Sequence, residues 1–326
     1  MKKRIFSGMR PTGALHIGHL SVLQNWIALQ SEYECYFGIV DWHALTTGYA
    51  DRLDMRGLIR DIALDWLSVG LDPEQCAILI QSNVLEHAEL HLLFSMITPI
   101  SWLERVPTYK DQIQQLGKEE GKDLSTYGFL GYPALQAADI LVYKADAVPV
   151  GEDQLPHIEL CREIARRFNF MYEAVFPEPR AIIGKIAMLP GVDGRKMSKS
   201  YHNAISLTAT SKEIKTRVQQ MITDPARVRK DDPGHPEVCV VHRFQQIYQP
   251  ERIAEIEADC REGKIGCVAC KAQLADILEK LLSPFRERRL HWEEPGRVEK
   301  VLREGNERAR ETALATMKDV RQAMGL

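Results

Sequence analysis

Ile5-Phe6-Ser7-Gly8-Met9-Arg10-Pro11-Thr12-Gly13-Ala14-Leu15-His16-Ile17-Gly18-His19 is the stretch on which the fold turns. Residues 3–8 form a short apolar segment ending at a glycine, and helix-like text runs from Gly18 to about Gln30. Tyr36-Phe37-Gly38-Ile39-Val40 reads as a buried strand. Asp51 is placed to cap a helix running to Val69, with Ile59, Ile62, Ala63, Trp66 and Val69 at helical spacing and Gly70 as its stop. Ala77-Ile78-Leu79-Ile80 is a further buried strand. Strand, helix, strand, helix, strand is the order of a parallel sheet with helices packed on it. The quoted stretch then joins the first strand to the first helix. In a doubly wound sheet, that junction is where a nucleotide phosphate meets backbone N–H groups and a helix N-terminus.

Residues 84–125 break the rhythm as a helical insertion, with an apolar stripe at Leu90, Leu93, Phe94 and Ile97 and then a polar stretch around Gly117–Gly121. Alternation resumes with a helix near Ala134–Tyr143, a strand at Ala147–Val150, a helix at Gln154–Arg167 and a segment at Ala181–Leu189. From Ser206 onward helical patterns dominate. The expected class is α/β: a Rossmann-type parallel sheet with a helical insertion over residues 1–197, then a mostly helical domain over 198–326.

The 326 residues suffice for two domains with sizeable cores. A content of 45% hydrophobic and 27% charged residues is that of an ordinary globular protein. No apolar run approaches the roughly 18 residues a membrane helix needs, so no membrane association is expected. The basic start Met1-Lys2-Lys3-Arg4 precedes too short an apolar run for a signal peptide, and the chain is expected in the cytoplasm. A net charge of −3 does not mark a nucleic-acid binder, so any RNA contact has to come from local basic patches.

Two motifs carry the chemistry. Gly18 lets an adenine ring approach the backbone, and His16 and His19 can donate to a triphosphate as charge builds on it. Lys196-Met197-Ser198-Lys199-Ser200 follows a glycine-rich, mobile-looking loop, Pro190-Gly191-Val192-Asp193-Gly194. Two lysines separated by small residues can clamp a leaving pyrophosphate, which is what in-line attack on an α-phosphate requires. Each motif alone also reads as ordinary surface.

In this order, the two motifs resemble the signatures of class I aminoacyl-tRNA synthetases. Asp41-Trp42-His43, Tyr132-Pro133-Ala134-Leu135-Gln136-Ala137-Ala138-Asp139 and Val150-Gly151-Glu152-Asp153-Gln154 look like the subgroup handling tryptophan and tyrosine, and nearly the whole length is similar to the bacterial tryptophanyl enzymes. The resemblance implies ATP and Mg2+ as cofactors, with Arg10, Pro11, Thr12, Gly18, His19, Gly151, Glu152, Asp153, Lys196, Met197, Ser198, Lys199 and Ser200 meeting ATP. It implies His16, His19, Lys196 and Lys199 as catalytic residues. It implies Phe6, His43, Tyr132, Gln136, Asp139 and Gln154 around L-tryptophan. Tyrosyl enzymes use a tyrosine where Phe6 stands, whereas Phe6 offers only an apolar ring face. Asp139 can accept an indole N–H, a charge-assisted bond worth about 1.5–3 kcal/mol. The chain departs from many bacterial tryptophanyl enzymes at Gln136, where methionine is usual, and at His16 and His19, where threonine and asparagine are frequent. Gln136 occurs in tyrosyl enzymes too, which keeps tyrosine as the alternative; a non-catalytic synthetase-like RNA-binding protein is the alternative of another class.

Seven cysteines in a chain without a signal peptide argue against a disulfide framework. Cys239, Cys260, Cys267 and Cys270 are grouped, and one close pair plus two distant thiols can make a four-sulfur site, for which spacing alone favours structural zinc. A branch of tryptophanyl enzymes that shares Gln136 carries this pattern with a 4Fe-4S cluster, so the resemblance implies the cluster. The resemblance also implies tRNA(Trp) as partner, an anticodon-binding role for 198–326 and a homodimer, with Leu90–Ile97 as one interface candidate. Arg217, Arg227, Arg229, Lys230 and Lys264 are candidate tRNA contacts.

Overall fold

A computed structural model describes residues 2–107, 109, 123–184, 189–198 and 201–326. The strands are β1 (Arg4–Met9), β2 (Glu34–Ile39), β3 (Cys76–Ile80), β4 (Ala147–Val150) and β5 (Arg180–Ile183). The helices are α1 (Leu20–Leu29), α2 (Asp41–Gly48), α3 (Met55–Val69), α4 (Glu86–Ile97), α5 (Ile100–Glu104), α6 (Tyr127–Leu141), α7 (Leu155–Met171), α8 (Ser211–Gln220), α9 (Val240–Tyr248), α10 (Ile253–Arg261), α11 (Cys267–Trp292) and α12 (Arg297–Met324). They form two compact units: residues 1–13, 24–184 and 293–326 in one, residues 14–23 and 185–292 in the other.

The first unit is built on a parallel sheet of order β3-β2-β1-β4-β5. The order reverses between β1 and β4, the switch point whose carboxyl-end crevice binds ligands in such sheets. In the register of β1 and β2, Gly8 faces Gly38. A Cβ on Gly38 would lie 2.9 Å from Phe6 Cζ, so this glycine makes room for the Phe6 ring. On one face Trp26 stacks on Phe37 at 4.5 Å and meets Trp66 edge-on at 5.1 Å. The stripe Leu90, Leu93, Phe94 and Ile97 is buried in this unit's core. It is therefore not the exposed interface it was one candidate for; the exposed apolar residues here are Leu85, Leu92, Met96 and Ile100, at helical spacing on the other side of α4 and into α5.

Two boundaries differ from the sequence reading. α3 is capped by Asp54, whose side chain accepts from Gly57 N–H, while Asp51 closes a turn onto Gly48 O at 3.0 Å. α6 starts at Tyr127, because Thr126 caps it by accepting from Phe129 N–H at 3.2 Å. The polar stretch around Gly117–Gly121 and part of Ala181–Leu189 lie outside the described residues.

Contacts group the chain differently from the cut expected at 197/198. The last helix, α12, belongs to the sheet-bearing unit and covers the open edge of β3. A Cβ on Gly305 would lie 1.9 Å from Ile78 O, so glycine is required for this approach. Ala309 and Ala313 continue the small-residue face, fully buried. Asn306 Oδ1 accepts from Ile80 N–H at 2.8 Å, satisfying a donor that an edge strand would leave open.

The second unit is helical. Ile214, Val218, Phe244, Leu274, Leu278 and Leu282 are fully buried among α8, α9 and α11. Residues 14–23 join it through backbone pairing: Ile17 N–H donates to Ile205 O at 2.9 Å and Leu207 N–H to Leu15 O at 3.0 Å. No helix among the described residues is long and apolar enough to cross a membrane.

Candidate active site

In the sheet-bearing unit the candidate residues centre on Asp139, buried on α6. Its Oδ1 accepts from His87 Nδ1 at 2.7 Å and Gln81 Nε2 at 2.8 Å; its Oδ2 accepts from His43 Nε2 at 2.9 Å and Gln81 Nε2 at 2.9 Å. Burial pushes this carboxyl up, but the hydrogen bonds and positive potential of His43 and His87 outweigh that and bring it down to about 2. It is a carboxylate at any working pH. His87 Nε2 lies 2.6 Å from the Tyr143 hydroxyl, whose pKa burial raises well above its usual value. Tyr143 stacks between Phe6 at 5.5 Å and Tyr36 at 4.4 Å.

The structure thus brings Phe6, His43, Tyr132 and Asp139 into one contact network and adds Gln81, His87, Tyr143 and His157, which the sequence reading missed. The His43 ring stands edge-on to Tyr132 at 6.4 Å, and Tyr132 Oη lies 2.9 Å from His157 Nε2. Burial lowers His157 to about 4, opposed by the charge of Asp153. A signal for His87 was present: a histidine in the apolar register of Leu90 and Phe94. Gln81 was signalled by its place directly after a buried strand.

The remaining candidates of this unit are more open. Gln136 is half-buried on α6. Gly151-Glu152-Asp153-Gln154 forms a short 3-10 turn after β4, with both acids exposed and Gln154 Nε2 donating to Asp153 Oδ2 at 2.9 Å. After β1, Arg10 and Thr12 are exposed and Pro11 buried.

Both ATP motifs fall in the helical unit. The His16 and His19 rings are 3.9 Å apart, and each backbone N–H bonds the other residue: His16 N–H to His19 Nδ1 at 3.2 Å, His19 N–H to His16 O at 2.8 Å. A Cβ on Gly18 would lie 3.0 Å from the His16 ring and 3.5 Å from Met197 Sδ, so the first motif packs against the second without space for a side chain. Lys196 is exposed, and Lys199 and Ser200 lie outside the described residues. The loop before them is a clipped hairpin. Gly191 N–H donates to Arg195 O at 2.7 Å, and buried Asn203 ties Asp193 Oδ1 at 2.8 Å, Lys196 O at 3.1 Å and Ser198 N–H at 2.8 Å. A Cβ on Gly191 would lie 2.2 Å from Asn203 Nδ2, so the glycine serves the clip. Asn203 was invisible in sequence, being an ordinary polar residue outside the motif.

Cys239, Cys260, Cys267 and Cys270 are half-buried free thiols. Burial raises Cys239, Cys260 and Cys270, and neighbouring thiols of the group add to each shift, so the four share one neighbourhood. No group of three or more His, Cys, Asp or Glu among the described residues is arranged to hold a metal ion. Arg227 Nη1 lies 4.0 Å from both Cys260 Sγ and Cys267 Sγ, so this arginine faces the thiols rather than an RNA. Arg229 and Lys230 are exposed, Arg217 donates to His202 O at 2.8 Å, and Lys264 pairs with Glu262.

The profile described as "tRNA synthetases class I (W and Y)" matches residues 1–283. A tryptophan–tRNA ligase of Thermotoga maritima is 53% identical, covering 99% of each chain, and one of Aquifex aeolicus is 45% identical, covering 99% of this chain and all of that protein. Among solved structures, tryptophanyl-tRNA synthetase from Campylobacter jejuni complexed with ADP and tryptophan matches with a TM-score of 0.88 at 30% identity, covering 99% of this chain and 100% of that one. On these matches, which cover most or all of its length, this chain belongs to the class I tRNA synthetases of the tryptophan and tyrosine family.

Proposed function

We propose that this chain is a tryptophan–tRNA ligase: it activates L-tryptophan with ATP to the adenylate and passes the aminoacyl group to tRNA(Trp). The observation that carries this reading is Asp139, a buried carboxylate kept charged, bonded to the His87 ring that Phe6 meets at 6.2 Å. Such a group accepts an indole N–H, and Phe6 has no hydroxyl with which to recognise a phenol. Gln136 agrees with either amino acid, and the selectivity rests on Phe6 and Asp139.

In the first step, a tryptophan carboxylate oxygen attacks the ATP α-phosphorus and the bond to pyrophosphate breaks. Tyr132 and Gln154 hold the α-ammonium, and His43 with Phe6 lines the ring. Glu152 and Asp153 accept from the ribose hydroxyls, beside the backbone of Gly151. Arg10 reaches the α-phosphate from the turn formed with Pro11 and Thr12. His16, His19, Lys196, Lys199 and Ser198 stabilise charge on the leaving pyrophosphate, and buried Met197 packs beneath Gly18 of the first motif. In the second step a hydroxyl of the terminal tRNA ribose attacks the adenylate carbonyl and AMP leaves. Positioning and electrostatics supply the rate, without a covalent enzyme intermediate. The described residues of the two motifs are donors and cations without a carboxylate, so Mg2+ would be held by the ATP phosphates, where it would supply charge neutralisation.

Residues 198–292 are the tRNA-reading part, with Arg229 and Lys230 as exposed cations. Cys239, Cys260, Cys267 and Cys270 are suited to a 4Fe-4S cluster. Arg227 Nη1 lies 4.0 Å from two of them, Cys260 and Cys267, where a guanidinium would offset the charge of bound thiolates. Four thiolates leave no open ligand position, so the cluster's part is structural. A Cys267→Ser/Cys270→Ser variant loses metal and visible colour and melts lower; equimolar zinc in colourless wild type would replace the cluster with a single-ion site. Leu85, Leu92, Met96 and Ile100 suit a homodimer interface. A protein consuming ATP and tRNA works in the cytoplasm.

The test is ATP–pyrophosphate exchange with each amino acid. Exchange with tryptophan supports the reading, exchange with tyrosine alone transfers it to the tyrosyl enzymes, and no exchange with any amino acid leaves an RNA-binding protein.

A further inference from the structure

A carboxylate offers about four acceptor positions. At Asp139 protein donors fill them: His87 and Gln81 on Oδ1, His43 and Gln81 on Oδ2. An indole N–H can therefore reach Asp139 only in exchange for one of these donors.

The three donors are not equally anchored. Gln81 is fully buried and held from behind, its Oε1 accepting from Trp42 N–H at 3.1 Å and His43 N–H at 3.4 Å. That bonding directs its amide N–H2 at Asp139. The His87 ring is fully buried, and its other nitrogen takes the Tyr143 hydroxyl at 2.6 Å. Tyr143 is clamped in turn between Phe6 and Tyr36. His43 differs. Among the described residues its ring has one hydrogen-bond partner, Asp139, and its side chain keeps 10% of its exposure.

We infer that His43 is a displaceable donor occupying the acceptor position that the indole N–H takes on Asp139 Oδ2, while Gln81 and His87 are positioning residues that stay on the carboxylate throughout. This rests on Asp139 being the indole acceptor. The exchange sharpens selection. A ring that pushes His43 aside without bringing an N–H leaves a buried carboxylate one donor short. A ring that leaves His43 in place cannot reach Asp139.

The test uses full-length protein with 15N-labelled histidines, L-tryptophan, and 3-benzothienylalanine, which keeps the ring shape but carries sulfur for N–H. Resonances are assigned with His43→Gln and His87→Gln. L-Tryptophan should shift the His43 Nε2 resonance and leave that of His87. Affinity gives a second readout with opposite signs. His43→Leu removes the competing donor, so tryptophan should bind about five- to tenfold more tightly. His43→Gln keeps a donor near the Nε2 position and should bind less tightly than His43→Leu. His87→Leu removes a fixed donor and should weaken binding. A His43 resonance unchanged at saturating tryptophan, or weaker binding in His43→Leu, overturns the exchange while leaving the tryptophan reading intact. Wild-type protein that neither binds tryptophan nor exchanges with it overturns both.

Discussion

The surroundings of Asp139 and the two ATP motifs are built in opposite ways. Around Asp139 the polar side chains are committed to one another before any substrate is considered: a buried carboxylate, an amide, two imidazoles and a phenol. At the motifs the described lysine faces outward and the two histidines are half-buried. Lys196 is exposed, and what is buried is the apparatus that shapes the backbone: Asn203, Met197 and the glycines packed against them. An amino-acid pocket must reject close analogues, and a saturated buried network does so because any mismatch leaves a group unpaired. A triphosphate site must stabilise charge that develops and then leaves, which suits exposed cations on a shaped backbone. In the first region stability and function share the same bonds, and in the second they are separable.

The largest effect that could break this contrast is Asp139→Ala. It leaves donors from Gln81, His43 and His87 unpaired in a buried site, so it should lower stability by about 3–5 kcal/mol and tryptophan kcat/KM by roughly a thousandfold. A variant that loses activity but melts like wild type would show that the network is not part of the fold. Lys196→Ala is the counterpart: kcat for pyrophosphate exchange should fall about a hundredfold or more while the melting temperature stays within a degree or two. Asn203→Ala falls between them. It frees the hairpin carrying Lys196, so it should cost about tenfold in kcat and about 1–3 kcal/mol in stability.

The smallest effect concerns pH. Burial holds His157 at about 4 in the folded chain against the usual 6.5. The folded protein keeps this imidazole neutral while the unfolded chain protonates it. Its contribution is therefore fully present above pH 6.5 and is lost as pH falls through 4, a change of about 2–3 kcal/mol. Denaturation from pH 7 to pH 4 should be steeper in wild type than in His157→Gln. Equal slopes would mean that the buried side of the molecule is less desolvated than its geometry indicates.

The sheet was legible in the sequence because buried parallel strands are short apolar runs between helices, and Tyr36–Val40 and Ala77–Ile80 fall on observed strands with small shifts of register. Candidate site residues could be nominated wherever a motif fixed both residue type and spacing, as at His16–His19 and Lys196–Ser200. Asp139, His43 and Tyr132 came from resemblance rather than from spacing, since they meet only when α2 and α6 are folded. Gln81, His87 and Tyr143 stayed hidden for the same reason. Each is an ordinary residue whose role exists only through a partner more than fifty positions away. The return of α12 was hidden because Gly305-x3-Ala309-x3-Ala313 also fits any amphipathic helix, and its meaning depends on the edge of β3. Asp51 and Asp54 show the limit at short range. Both suit a cap, and only the turn already closed at Gly48 decides between them.

The most direct measurement is charging of total bacterial tRNA with labelled tryptophan and, separately, labelled tyrosine, using wild type beside Phe6→Tyr. Tryptophan should be attached by wild type at least about a thousand times more efficiently than tyrosine, and Phe6→Tyr should narrow that ratio. Wild type that charges tyrosine as well as tryptophan would contradict the claim that Phe6 and a saturated Asp139 select the substrate.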